Sequence, residues 1–199
     1  MKMLIHTVAA AFCAAVLATF FPGMATAGCG SGPNFQQVLA PDLNAIAAQS
    51  GPAHNSQPIV GMWKTVLTSR GTSVVPGPPL PPDTPFEWGY TQWHSDGTEF
   101  FNSGDRQPTS QNFCLGTWEQ TGPLKYKLNH FAYNYDPITS VLIGKVNIRE
   151  EVTVDRGGNR YCGTFAIDGW DTSGNQIIRI RGTLEAARVT VNTVDTSIP

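Results

Sequence analysis

His94, His130 and Glu150 are the side chains in this sequence best suited to moving a proton or holding a metal. Their spacing matches no metal motif: His94-Ser95-Asp96 places the aspartate in a turn, and there is no H-x-x-x-H and no C-x-x-C. A nucleophile elbow, a phosphate loop and a dinucleotide fingerprint are also missing, which removes the commonest hydrolase and nucleotide-binding readings. We therefore assign no catalytic residue, metal or cofactor from motifs. These residues matter only if the fold brings them together.

The elements that would do so alternate with a period of two. "PIVGMWKTVLTS" places Gly61, Trp63, Thr65 and Leu67 on one face and Met62, Lys64 and Val66 on the other. Residues 71–85 follow, with six prolines and two glycines, and read as a long stiff loop. Strand-like segments then recur between turn signals: "FEWGYTQWHS", "GTEFFNS", "NFCLGTWEQ", "LKYKLNHFAY", "VLIGKVNIREEVTVD", "RYCGTFAIDGWD" and "IIRIRGTLEAARVTV". With the first strand they make eight. Short hairpins and no intervening helices predict an all-β, eight-stranded antiparallel up-and-down barrel, since closure removes the sheet edges; a two-sheet sandwich would use similar strand signals.

Strand parity then sorts the faces. Lys125 and Lys127 want water, which sends Tyr126, Leu128, His130 and Ala132 inward. Lys145, Asn147, Arg149 and Glu151 point out, which sends Val146, Ile148, Glu150 and Val152 in. An outward Glu87 and Thr91 would place Trp88, Tyr90, Gln92 and His94 inside. A mostly apolar interior with a few orienting polar groups is the chemistry of a ligand cavity, and an inward glutamate is costly unless partnered or wet. A filled core in which these groups satisfy one another would carry the same pattern. The expected ligand-binding set is Trp88, Tyr90, His94, Tyr126, His130 and Glu150.

The N-terminus reads as a signal peptide over residues 1–27: Lys2, the apolar run "VAAAFCAAVLATFF", and "ATA" ending at Ala27. The run is too short for a membrane span and is followed by Pro22-Gly23. Removing 27 of 199 residues takes Lys2 from the 13 cations, leaving 172 residues with 12 Lys and Arg against 15 Asp and Glu, a net charge of -3. Nothing is basic enough for a nucleic-acid surface. Residues 28–57 form an N-terminal arm with His54 and one short helix over 41–50, and 58–199 form the barrel domain. A secreted or periplasmic location makes disulfides possible, and an odd set of cysteines remains: Cys29, Cys114 and Cys162. Cys114 and Cys162 fall on strands that are not neighbours, so Cys29 is the easier partner for either. "TAGC" also loosely resembles a lipobox, which would make Cys29 a lipid anchor.

Taken together, Gly61-x-Trp63 on the first strand, the long loop after it and Arg188 on the last strand resemble the calycin superfamily, in particular lipocalin-like barrels. The resemblance is to a bacterial-type lipocalin-like or other calycin barrel rather than a classical lipocalin, because no T-D-Y-like turn is evident and no C-terminal helix follows the last strand. The resemblance implies that Trp63 sits at the closed end with Arg188 across its ring, and that residues 71–85 cover the open mouth. It also implies a small, largely apolar ligand in the lumen. Two alternatives stay open: an isomerase or cyclase resembling the allene oxide cyclase barrels, and an exported inhibitor acting through its arm or loops.

Overall fold

The computed structural model describes residues 57–71, 74–75 and 78–196. Residues 1–27, expected to be a signal peptide, most of the arm with its expected helix, and Cys29 lie outside the described residues. Eight strands form one closed antiparallel barrel: β1 (Gly61–Arg70), β2 (Pro82–Trp93), β3 (Thr98–Ser103), β4 (Phe113–Gly122), β5 (Lys125–Tyr135), β6 (Leu142–Val154), β7 (Arg160–Asp171) and β8 (Gln176–Val189). Each strand pairs with the next, and β8 returns to β1 from Met62↔Val189 to Ser69↔Gly182. This is the expected up-and-down barrel, and the sandwich is excluded. Among the described residues no helix is long and apolar enough to cross a membrane.

The Pro-rich loop is shorter than expected, because β2 already begins at Pro82. Pro82 and Pro85 enter the ladder beside register shifts in β1 at Leu67/Thr68 and Ser69/Arg70, where irregular pairing tolerates residues that cannot donate. The loop crosses β8 at the end of the barrel away from Trp63: Val74 and Arg179 exchange backbone hydrogen bonds of 2.8 and 2.7 Å.

Aromatic side chains fill the other end. Trp63 meets Tyr161 edge-on at 4.8 Å between centroids, and Trp93 packs on Trp118, Tyr126 and Tyr161 at 5.8, 6.4 and 6.0 Å. Trp63 Nε1 donates to the Ile59 carbonyl at 2.8 Å, and the Arg188 guanidinium lies 4.1 Å from the Trp63 ring centroid. Arg188 also donates to the carbonyls of Val60, Pro58 and Gly158, tying the entry to β1 and the β6–β7 turn to β8. Gly61 makes this possible. Its φ is +133°, and a Cβ there would stand 2.6 Å from Arg188 Nη1, so the glycine of G-x-W clears the path of the arginine.

One strand faces the opposite way from expectation. Thr91 and Trp93 of β2 are the buried lumen residues, with Thr91 Oγ1 2.8 Å from Thr65 Oγ1, while Trp88, Tyr90, Gln92 and His94 point outward or to the rim. The reason is that the outer wall is itself covered there. Tyr90 Oη donates to Asp195, Lys64 Nζ binds the same carboxylate at 3.0 Å, and Trp88 packs against the cluster of Val66 and Ala187. An outer face buried beneath the chain that follows β8 recruits aromatic residues just as a lumen does, and parity cannot distinguish the two.

Cys162 is disulfide-bonded, whereas Cys114 is a free buried thiol. Burial pushes the Cys114 thiol up to about 12, with Glu99 and Glu87 adding to the shift. Cys114 should therefore resist maleimide at neutral pH in the folded protein and react promptly in denaturant, as counted by intact mass. Rapid labelling of the native state would contradict its burial.

Candidate functional site

Register builds the site. One rung of inward residues circles the barrel from β2 to β8 as Trp93, Glu99, Gly116, His130, Ile148, Ile167 and Ile180, each paired with the next. Gly116 stands between Glu99 and His130. Because it has no side chain, the two polar groups meet across β4: His130 Nδ1 lies 3.1 Å from Glu99 Oε2. A Cβ on Gly116 would stand 2.6 Å from both Glu99 Oε2 and His130 Cβ. Glu150, diagonal to His130 on β6, places Oε1 3.7 Å from Nε2. All three side chains are buried.

The electrostatics follow from that burial. Burial alone would push the His130 imidazole down, but the charge and hydrogen bond of Glu99, with Glu150 behind them, raise it on balance. Burial pushes the Glu150 carboxyl up to about 7 against the pull of His130, and Glu99 adds to the rise. Glu87 also rises to about 7 by burial, opposed by the Ser103 hydroxyl, which donates to Glu87 Oε1 at 2.7 Å.

Next to these groups lies a cavity of about 120 Å³, with walls that include Leu67, Phe101, Ile148, Ile167 and Ile180, and with His130, Glu150, Glu87 and Arg106 as its polar lining. Arg106 is anchored from the β3–β4 connection, donating through Nη2 to the Ser110 carbonyl and to Asn134 Oδ1. His130 Nε2 and Glu150 Oε2 are buried and have no hydrogen-bond partner among the described residues. Among the described residues no group of three His, Cys, Asp or Glu is placed to hold a metal.

Of the six residues expected to bind a ligand, His130 and Glu150 line this cavity. Tyr126 faces inward as expected but belongs to the aromatic layer against Trp93 and Trp118. Trp88, Tyr90 and His94 lie outside the lumen, and the expectation that they line it is corrected. Trp63 and Arg188 form the expected pair. Glu87, Glu99 and Arg106 were missed. In "GTEFFNS" Phe100 and Phe101 put one aromatic on each face, so alternation could not tell which side held Glu99.

Gly116→Ala should therefore part Glu99 from His130 and cost about 1–3 kcal/mol, the usual price of overfilling a packed interior. Urea unfolding measures the loss, and the His130 ring resonances report the separation. An unchanged midpoint with unchanged resonances would show that the rung has slack.

The structure is thus a closed eight-stranded antiparallel barrel compatible with a lipocalin-like fold, holding a buried Glu-His-Glu cluster beside a small apolar cavity. Comparison with known protein families, with curated proteins and with solved structures found no match.

Proposed function

We propose that this chain is an exported, lipocalin-like barrel that binds a small, largely apolar ligand in its lumen. The observation that carries the reading is the junction of an apolar cavity with two buried polar atoms, His130 Nε2 and Glu150 Oε2, that have no partner among the described residues. Natives seldom tolerate such atoms, because each forfeits roughly 1–3 kcal/mol of hydration. A ligand with one polar group would satisfy them.

Size narrows the class. Pockets for drug-sized molecules begin near 300 Å³, whereas apolar cavities of about 150 Å³ hold a single benzene. At about 120 Å³ the lumen suits a molecule of one ring or a short branched chain, not a fatty acid. Titration with benzene followed by methyl NMR tests the reading. Shifts should concentrate at Leu67, Ile148 and Ile180, and a spectrum unmoved at saturation would defeat it.

A second reading is favoured by one arrangement: Glu99 orients His130, whose other nitrogen faces a carboxyl with a pKa near neutrality. That is the layout of an acid-base pair, and it supports an isomerase. Turnover lost in Glu150→Gln with the fold retained would separate it from binding alone. Export is part of the proposal, and the N-terminal residue of the purified protein, together with any lipid on Cys29, tests it by mass spectrometry.

A further inference from the structure

The unpartnered atoms in the cavity wall specify more than polarity. His130 Nε2 lies 3.7 Å from Glu150 Oε1, the other oxygen of the carboxylate whose Oε2 is unpartnered among the described residues, too far for a direct hydrogen bond. A single oxygen can nevertheless stand about 2.8 Å from both, accepting from one and donating to the other. We propose that the lumen recognises a small uncharged alcohol or phenol whose hydroxyl sits between His130 Nε2 and Glu150, with its hydrocarbon part against Leu67, Phe101 and Ile148. This deepens the lumen-binding reading and rests on it.

A hydroxyl is favoured over other polar groups for three reasons. It both donates and accepts, so it can accept from the Nε2–H of His130 while donating to the Glu150 carboxylate, or donate to a bare Nε2 while accepting from a protonated Glu150. A ligand carboxylate would enter a space already bordered by Glu150 and Glu87, with Glu99 behind His130, while Arg106 Nη2 is directed to Ser110 and Asn134. An ammonium would meet the Nε2–H of an imidazole that Glu99 favours in its charged form, and it has no lone pair to accept from it. The apolar part is limited by the roughly 120 Å³ available.

The test is a ¹⁹F NMR titration of the full chain with 4-fluorophenol, fluorobenzene and 4-fluorobenzoate. The expected result is that 4-fluorophenol binds at least tenfold tighter than fluorobenzene and that 4-fluorobenzoate does not bind. In Glu150→Leu the preference should fall to about one while fluorobenzene still binds, and Glu150→Gln, which keeps an acceptor, should retain part of it. Equal affinity of the wild-type protein for 4-fluorophenol and fluorobenzene would overturn the hydroxyl proposal and leave lumen binding standing. Binding of none of the three would overturn both. The wild-type comparison decides even if Glu150→Leu fails to fold.

Discussion

Trp63→Ala is expected to lower the free energy of unfolding by about 3–5 kcal/mol, the range for removing a large aromatic from a packed interior. The indole is fully buried, so its truncation leaves a void at the closed end that Tyr161 and Trp93 cannot fill without losing contact with each other. Two further interactions go with it, the hydrogen bond to Ile59 and the guanidinium stacked on the ring. Against a net stability of roughly 5–15 kcal/mol, that leaves a marginal barrel. Trp63→Phe keeps a ring beneath Arg188 and gives up the Nε1–H, so it should cost less than half as much. Urea midpoints for the three proteins decide the matter, and a loss below about 1 kcal/mol in Trp63→Ala would show that the indole does not hold that end of the barrel together.

Stability should also fall as pH rises from about 4.5 to about 7. Glu150 and Glu87 are both raised from 4.5 to about 7 by burial, so across that interval the unfolded chain ionises while the folded chain holds its protons, and folding loses ground. His130 acts in the same direction. Its folded value lies above 6.5, so its stabilising share is complete below 6.5 and is lost as the pH passes the folded value. The groups around it are Glu99 from β3, Glu150 from β6, Glu87 from β2 and Cys114 from β4, with Arg106 at the cavity wall. For Glu150 alone the decline amounts to about 3 kcal/mol at 1.36 kcal/mol per pH unit.

On the acid side, Asp96, Asp136 and Asp171 are held below 3.8 chiefly by hydrogen bonds from Thr98, Thr139 and Asn175, and their stabilisation disappears as pH falls under that value. The optimum should therefore sit near pH 4 to 5. Glu150→Gln should flatten the descent between pH 5 and 8, as read from denaturant unfolding at each pH. A wild-type profile that is level or rising over that window, with the variant parallel to it, would mean that the carboxyl is not desolvated.

The parts of the structure that were legible in the sequence are those where one face alone is dry. β5 and β6 carry lysine, arginine and asparagine on their outward positions, so Tyr126, His130 and Glu150 were placed correctly. Turn residues fixed the strand count for a similar reason, since Asp96-Gly97 and Ser173-Gly174 have local chemistry that no packing overrides. β2 failed because its outer side is covered as well, and β3 because its two phenylalanines straddle the strand. The space that Gly116 leaves serves the contact of Glu99 with His130. No alternation reveals that use, because it depends on which strands lie on either side.

The seam between β1 and β8 joins the two ends of the barrel sequence, Met62 to Val189. A chain fed out from its N-terminus can zip each hairpin as it emerges, but β1 keeps a bare edge until the last strand arrives. Loop-closure entropy over so long a span must be met before that final ladder returns anything, which makes closure slow and late. A nascent chain stalled short of β8 would be an open ribbon, exposed to chaperones and proteases.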